Sequence, residues 1–230
     1  YIVLKKNFLI NDPNFRECIQ ILSHLKLNYW ICYGTLLGIM RDKSLIPWDN
    51  DIDIGYWQIK NKDRIISAFV SKGFTLKTKS FGKNYLLSFE KGNNRKIDIN
   101  FHEIDKTGKY CFIRHYAMRN IFCRLIYVLS EGKNYKGRYS SIIKIFSFTS
   151  GFFKALKLKL EKLNLFYVDA GFKTKLKYFK YLKNINYYGI QIKIPVYYKE
   201  FLGNQYGHQW RITNRKYYWE KNKHKTIFTK

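Results

Sequence analysis

Three aspartates at alternating positions, Asp49, Asp51 and Asp53, are the residues of this sequence best suited to chemistry. Successive side chains of an extended strand point to opposite faces, so the three carboxylates share one face while Ile52 and Ile54 point into the core. Carboxylates crowded on one face repel one another unless a cation lies among them. Hard oxygen ligands suit Mg²⁺ or Mn²⁺, and Mg²⁺ usually also binds substrate phosphates, so the pattern predicts a metal-assisted phosphate site.

Two other structures could carry the same aspartates. One is a solvated acidic turn, and the other is an EF-hand calcium loop, which also opens with alternating aspartates. The EF-hand requires glycine at its sixth position and glutamate at its twelfth, where this sequence has Ile54 and Lys60. The EF-hand is therefore excluded.

The elements before the aspartates are predicted to form a phosphate-binding turn. Residues 29–32 predict a short buried strand, and a short helix is expected from Thr35 through Arg41, with free N–H groups at its N-terminus. Gly34 permits close backbone approach, Thr35 can donate its hydroxyl to a phosphate, and Arg41 is a natural bidentate phosphate ligand. The alternative for Arg41 is an ion pair with Asp42 or with a carboxylate of the site.

The same region resembles the signature of the LicD/fukutin family of nucleotidyltransferase-fold phosphotransferases, which includes lipopolysaccharide cholinephosphotransferases. The family pattern L-x-G-x-x-R, followed by I-P-W-D-x-D-I-D-I, stands at residues 36–41 and 46–54. The Gly-Thr pair at 34–35 resembles the hG[GS] element of the wider superfamily, and residues 206–210 resemble the family's closing Y-G-x-x-W element. The resemblance covers roughly residues 12–215.

This resemblance implies a third acid in the site, and Asp98 is the best candidate. It lies in a strand predicted over residues 96–101, with its side chain opposite to the flanking isoleucines. Asp51, Asp53 and Asp98 would then be the catalytic acids and the metal ligands, and Asp98 could also take a proton as general base. The alternative is that Asp98 is only a polar residue on an exposed strand face.

The order of predicted elements is helix, strand, helix, strand, helix and then several strands, which is an α+β pattern and not a Rossmann alternation. The resemblance implies a nucleotidyltransferase (polymerase-beta-like) mixed sheet core flanked by helices, with a helical C-terminal decoration. The chain has 230 residues. We expect a single LicD-like domain over residues 1–230, with its core at about 12–110 and the decoration at about 111–230.

The formal net charge of +27 predicts attraction to polyanions such as nucleotides and acidic lipids. A coding bias toward Lys, Asn, Ile and Tyr could produce the same charge without any function. Residues 154–165 alternate lysine and leucine and predict a basic amphipathic helix. That helix either packs on its own domain with a solvated face or attaches to an anionic membrane surface.

The expected location is the cytoplasm, with peripheral attachment at the inner face of the cell membrane. The cysteines, at positions 18, 32, 111 and 123, have no CxxC spacing and predict buried free thiols in a reducing compartment. No run of eighteen uncharged apolar residues is present, so no segment is expected to span a membrane.

The function implied by the resemblance is a metal-dependent transferase. It would move a phospho-alcohol, such as phosphocholine or an alditol phosphate, from a CDP-linked donor to a hydroxyl of a cell-surface glycan or lipid-linked sugar, as in lipopolysaccharide or capsule biosynthesis. One alternative is a nucleotidyltransferase that moves NMP onto a small molecule. Another is a basic nucleic-acid-binding module, but the positive residues are spread along the chain and no RRM, KH or helix-turn-helix pattern occurs, so no specific nucleic-acid partner is expected.

Overall fold

The computed structural model describes residues 12–57, 59–77, 86–135, 139–215 and 225–227. The α-helices, in chain order, are α1 (Pro13–His24), α2 (Tyr33–Asp42), α3 (Lys62–Ser71), α4 (Ile121–Glu131), α5 (Ser140–Ile145), α6 (Ser150–Lys162), α7 (Lys177–Lys180) and α8 (Tyr198–Tyr206). The strands are β1 (Trp30–Ile31), β2 (Asp51–Tyr56), β3 (Thr75–Leu76), β4 (Leu86–Glu90), β5 (Lys96–Ile104), β6 (Tyr110–Met118), β7 (Tyr167–Lys175), β8 (Leu182–Tyr187), β9 (Ile190–Pro195) and β10 (Lys225–Ile227). A 3₁₀ turn (Phe146–Thr149) lies between α5 and α6.

The chain divides into two compact units. Unit 1 consists of residues 1–113 and 172–225, and unit 2 consists of residues 114–171 and 226–230. Unit 1 contains the predicted site, and unit 2 contains helices α4, α5 and α6. The expectation of a single domain with a core to about residue 110 stays a prediction.

Helix α1 begins where its local sequence favours a helix. Asp12 is the N-cap, and its Oδ1 accepts a hydrogen bond from the backbone N–H of Phe15 at 3.1 Å. Pro13 occupies the first turn, where its missing N–H has no helical partner to lose. Apolar side chains at helical spacing then face the core, and they are Phe15, Cys18, Ile19 and Leu22.

The sheet of unit 1 is mixed. Its strands follow the order β1-β2-β5-β6, with β4 paired to β5 and β3 paired to β4. Strands β2 and β5 are parallel, whereas β1–β2, β3–β4, β4–β5 and β5–β6 are antiparallel. This mixed sheet with flanking helices confirms the predicted α+β class.

The core of unit 1 lies against this sheet. Ile52 and Ile54 are fully buried, as the alternation of β2 predicts. Large aromatic side chains complete the packing, and those with almost no exposed surface include Trp30, Phe69, Phe89, Phe179 and Phe201.

The C-terminal half is helical in α4 to α8, as predicted, and it also contains strands that the sequence analysis did not identify. Strands β8 and β9 form a separate antiparallel hairpin. Tyr188 and Gly189 form its turn, and both have positive φ, as a tight hairpin turn requires. None of the helices described is both long enough and apolar enough to cross a membrane.

Candidate active site

The predicted acids come together because β2 and β5 run in parallel and in register. Asp53 is paired with Asp98, and Asp51 is paired with Lys96. Residues paired across neighbouring strands point to the same sheet face, so these four side chains share one face. Asp49 lies before β2, in a turn where its backbone N–H donates to the carbonyl oxygen of Ile46 at 3.1 Å.

Asp98 is buried and is not a residue of an exposed strand face. Its Oδ1 accepts a hydrogen bond from Oγ of Ser88 at 2.5 Å, and its Oδ2 accepts one from Nζ of Lys96 at 2.9 Å. Only 7% of the Asp98 residue surface is exposed. Both carboxylate oxygens are therefore fixed in orientation by neighbouring side chains.

Lys96 is a part of the site that the sequence analysis missed. Its Nζ lies 2.9 Å from Oδ2 of Asp98 and 3.5 Å from Oδ2 of Asp51. Although burial disfavours its charge, the carboxylates of Asp98 and Asp51 raise the pKa of Lys96 above its ordinary value. The signal was available, because Lys96 stands two residues before Asp98 and thus shares its strand face.

Burial and neighbouring carboxylates make Asp49 and Asp53 reluctant to ionise. Burial, followed by repulsion from Asp51, Asp98 and Asp49, raises the pKa of Asp53 well above its ordinary value. Burial, a hydrogen bond with Asp51 and the charge of Asp51 raise the pKa of Asp49 to about 7. The cluster is therefore short of positive charge, even with Lys96 in place.

Gly34 and Thr35, in the first turn of α2, contact the acids directly. A Cβ added to Gly34 would collide with Oδ2 of Asp49 and would lie 3.7 Å from Oδ2 of Asp53. The Oγ1 of Thr35, a buried residue, accepts a hydrogen bond from the backbone N–H of Asp53 at 2.8 Å. The two residues thus fix the spacing between helix and acids, and their phosphate-binding role stays a prediction.

Arg41 forms an ion pair with Asp42, which is the alternative to phosphate binding that the sequence left open. Its Nε and Nη2 donate to Oδ1 and Oδ2 of Asp42 at 2.8 and 2.7 Å. The side chain of Arg41 is 7% exposed. Its predicted phosphate contact would require it to leave Asp42.

Arg95, also missed by the sequence analysis, holds the turn that carries Asp49. Its Nε donates to the carbonyl oxygen of Asp49 at 2.9 Å, and its Nη2 donates to that of Ile46 at 3.1 Å. Its Nη1 donates to Oδ2 of Asp12, the N-cap of α1, at 3.1 Å. Arg95 therefore joins the start of α1, the acidic turn and the start of β5.

The residues that follow Asp98 on β5 have structural partners. Nδ2 of Asn100 donates to Oδ1 of Asp53 at 3.4 Å. His102 is buried between aromatic rings, with Nε2 3.4 Å from the hydroxyl of Tyr33 and Nδ1 3.1 Å from the carbonyl oxygen of Asn100. Burial lowers the pKa of His102 to about 4, so this histidine is neutral near pH 7.

The closing Y-G-x-x-W element lies at the end of α8. Gly207 has a φ of 88° and ends the helix, and Trp210 is buried in the core of unit 1. Further along, the guanidinium of Arg215 lies 4.5 Å from the ring centre of Trp48, the residue before Asp49. The C-terminal part of unit 1 therefore reaches the acidic turn.

The donor set suits an open metal site. No three histidine, cysteine, aspartate or glutamate side chains in the described ranges form a group that could enclose an ion by themselves. Mg²⁺ commonly takes one or two protein carboxylates and completes its shell with water and substrate phosphates. Asp51 and Asp53, with Asp98 beside them and a deficit of positive charge, fit such an ion, and the cofactor stays a prediction.

Comparison with known proteins gives related transferases. Residues 26–127 match the family model described as LicD/FKTN/FKRP, nucleotidyltransferase domain. The ribitol-5-phosphate transferase FKTN of Mus musculus is 40% identical over 93 residues, which are 37% of this chain and 20% of that protein. The ribitol 5-phosphate transferase FKRP of Homo sapiens is 25% identical over 91 residues, which are 36% of this chain and 18% of that protein. The matches thus span about a fifth of the length of these curated relatives.

A solved structure was also matched. The lincosamide antibiotic adenylyltransferase LnuA, bound to lincomycin, has a TM-score of 0.44 and 11% sequence identity, with 84% of each chain covered.

The mixed sheet and the acids on its two parallel strands belong to a nucleotidyltransferase domain. Over residues 26–127 the chain is similar to the LicD/FKTN/FKRP nucleotidyltransferase domain. This finding confirms the resemblance drawn from the sequence.

Proposed function

We propose that the protein is a metal-dependent transferase that moves a phospho-alcohol from a CDP-linked donor to a hydroxyl of a glycan. The observation that carries this proposal is the parallel register of β2 and β5. It places Asp53 beside Asp98 and Asp51 beside Lys96 on one sheet face. A site of this composition suits a substrate that brings phosphate oxygens and a divalent cation together.

Donor binding is assigned to the acids and to Lys96. Asp51 and Asp53, with Asp98 beside them, would hold Mg²⁺ or Mn²⁺ together with substrate phosphate oxygens, whose charge the ion would offset. Lys96 would contribute its ammonium group to a phosphate oxygen, because a flexible lysine can exchange a carboxylate partner for a phosphate. Gly34 leaves room for the carboxylate of Asp49 beside the start of α2.

Asp98 is the proposed general base for the acceptor. The acceptor oxygen attacks the phosphorus that carries the alcohol, the bond from that phosphorus to CMP breaks, and the acceptor proton passes to the carboxylate of Asp98. Hydrogen bonds from Ser88 and Lys96 fix the orientation of that carboxylate before the substrate arrives. CMP leaves with the electron pair of the broken bond.

The relatives narrow the proposed donor. Both curated relatives described above are named ribitol-5-phosphate transferases, which favours an alditol phosphate over phosphocholine. The proposed acceptor is a sugar hydroxyl of a surface glycan or of its lipid-linked precursor. A cytoplasmic location is proposed as well, and the four buried, unpaired cysteines support it because such thiols persist in reducing compartments.

The experiment that tests the proposal identifies the leaving group. The purified chain is incubated with Mg²⁺, a lipid-linked or soluble glycan and either CDP-ribitol, CDP-choline or CTP. Release of CMP with transfer of the alcohol phosphate is the expected result. Release of pyrophosphate from CTP with transfer of CMP would instead establish the nucleotidyltransferase alternative.

A matched pair of variants ties any turnover to this site. Asp51→Asn should abolish transfer, whereas Asp63→Asn, the same change at an exposed residue of α3, should leave it unchanged. Equal turnover by the two variants would place the chemistry elsewhere. Salt-sensitive binding of polynucleotides with no turnover of any nucleotide would favour the nucleic-acid-binding alternative.

A further inference from the structure

Unit 2 exposes an unusual number of large apolar side chains. Phe148 is 82% exposed, Phe152 is 68% exposed, and Phe122 and Ile145 are each 71% exposed. Single exposed apolar residues are normal, but a set of this size within one small unit indicates an interaction surface. The phenylalanines, isoleucines and leucines of unit 2 that are more than half exposed are Ile121, Phe122, Leu125, Ile142, Ile145, Phe148, Phe152, Leu158 and Leu163.

Helix α6 shows how these side chains are arranged. Phe152 and Leu158 are exposed, while Phe153, Leu156 and Leu160 are partly buried. Helix α6 packs on α4, so the partly buried residues have a partner helix within unit 2. The helix therefore carries more apolar surface than its packing in unit 2 covers.

Positive charges stand among the exposed apolar residues. Lys154, Lys159 and Lys162 are exposed on α6, and Lys144 is exposed on α5. The acid of α6 does not balance them, because Glu161 has only 7% of its side chain exposed and lies 3.9 Å from Lys157. The surface that reaches solvent is thus both apolar and cationic.

We propose that this apolar and cationic surface of unit 2, formed by α4, α5, the 3₁₀ turn Phe146–Thr149 and α6, docks on an anionic lipid bilayer. Phenylalanine, isoleucine and leucine side chains enter the boundary between headgroups and acyl chains, and the lysines contact anionic headgroups. A second copy of this chain fits less well, because it would bring lysines against lysines. Nucleic acid would satisfy the charge and leave the aliphatic side chains without a partner.

The test is vesicle co-sedimentation of the full chain. Vesicles of phosphatidylcholine with about a third phosphatidylserine are compared with vesicles of phosphatidylcholine alone. We expect binding to the anionic vesicles that weakens as salt is raised and weak binding to the neutral ones. Equal binding to both, or binding to neither, would overturn the proposal.

Two variants and one control locate the surface. Lys154→Gln with Lys159→Gln should weaken binding to anionic vesicles about 25-fold, since each lysine near such a surface contributes about fivefold. Phe148→Ser with Phe152→Ser should weaken binding to the same vesicles without changing the melting temperature, because both side chains are already exposed. The control is Lys106→Gln with Lys109→Gln, which removes the same charge from exposed residues of unit 1.

Equal losses in the control and in the unit 2 lysine variant would show a general charge effect and overturn the assignment to unit 2. Sedimentation of the chain without vesicles tests whether a second copy of the chain occupies the surface. A wild-type dimer that becomes a monomer in Phe148→Ser with Phe152→Ser would assign the surface to that second copy and overturn the proposal. Transfer activity is not part of either readout, so this inference and the proposed function can fail separately.

Discussion

Two pairs of phenylalanines, one pair in each unit, lie in opposite environments. In unit 1, Phe69 and Phe89 stack with 4.4 Å between ring centres and are fully buried. In unit 2, Phe148 and Phe152 are largely exposed. Unit 1 therefore has the well-packed core that can hold charged groups in fixed positions, whereas the apolar side chains of unit 2 are available for a partner.

Lysines of the two units also differ in the residues that surround them. In unit 1, Lys96, Lys91 and Lys177 have carboxylate partners within 2.9 Å. In unit 2, the exposed lysines of α6 stand beside exposed apolar residues. Variants of the full chain at lysines of each unit can therefore separate the two settings.

The largest expected effect tests whether the chemistry belongs to unit 1. Asp51→Asn and Asp53→Asn should each lower transfer roughly 10⁴-fold, because the several kcal/mol of charge stabilisation from a bound metal would be lost. Thermal unfolding without metal should show equal or higher stability, since both changes reduce repulsion among the acids. Near-normal turnover in both variants would contradict the site assignment.

Asp98 should have a smaller and more informative effect. Asp98→Asn should lower the rate of the chemical step roughly 10²–10⁴-fold, the usual contribution of a positioned proton acceptor. Donor affinity, measured by calorimetry with Mg²⁺, separates its two roles: a base alone leaves affinity intact, and a metal ligand weakens it. Full activity would exclude both roles, and Asp105 would be the next acid to test.

Packing supplies a direct comparison of the units. Phe69→Ala should lower the free energy of unfolding by about 3–5 kcal/mol, because it empties a buried aromatic position. Phe152→Ala should change it by less than about 0.5 kcal/mol, because its side chain is already in solvent. Urea denaturation of the two variants makes the measurement, and a large loss in Phe152→Ala would mean that unit 2 covers this residue.

Arg95 should act on the site without touching substrate. Arg95→Lys removes the hydrogen bonds to the Ile46 and Asp49 carbonyls and should lower the free energy of unfolding by about 1–2 kcal/mol. Because the turn loses its anchor, kcat should fall about tenfold or more while the pH profile keeps its shape. Unaltered kcat with reduced stability would limit Arg95 to a structural role.

The smallest expected effect concerns pH. The pKa of Asp49 in the folded protein is about 7, against an ordinary value of 3.8, so the folded state keeps a proton that the unfolded state has released. Its contribution to stability is therefore present below about pH 4 and is lost as the pH rises to about 7.

Unfolding in EDTA at pH 5.0 and 7.5 measures this loss. The free energy of unfolding should decrease between these two pH values, and Asp49→Asn should make that decrease smaller by roughly 1 kcal/mol, after allowance for partial solvent screening. Mg²⁺ should also make the decrease smaller in the wild type, but not in Asp51→Asn. An identical decrease in wild type and Asp49→Asn would contradict the raised pKa.

The sequence correctly predicted Asp51 and Asp53 on one strand face, but Asp49, predicted on the same strand, lies in the turn before β2. Alternation in β2 predicted both the shared face of Asp51 and Asp53 and the burial of Ile52 and Ile54, because a period of two is a local property of a strand. Asp98 was expected in the site from the family resemblance, but its pairing with Asp53 was not predicted. That pairing could not be derived from either strand alone, because strand register depends on the fold.

Other features required the structure. Arg95 contacts Asp12 across 83 residues, and no spacing rule connects such positions. The sequence left two roles open for Arg41, and the structure shows its ion pair with Asp42. The leucines and lysines of residues 154–165 predicted a helix correctly, but periodicity does not reveal how much of an apolar stripe a neighbouring helix covers. The hairpin turn at Tyr188 and Gly189 had no Asn-Gly or Asp-Gly signal in the sequence, because a tyrosine takes the first position of positive φ.

The hydrogen bonds of Arg95 also bear on the order of folding. They connect the chain at Asp12 with the turn at Asp49, bridging 83 residues on one side and 46 on the other. Contacts so distant in sequence form only after long loops have closed, and loop closure slows folding. The turn that carries Asp49 should therefore reach its final conformation late in folding, after β2 and β5 have paired. In a newly synthesised chain, Asp49 would then join Asp51 and Asp53 only as folding ends.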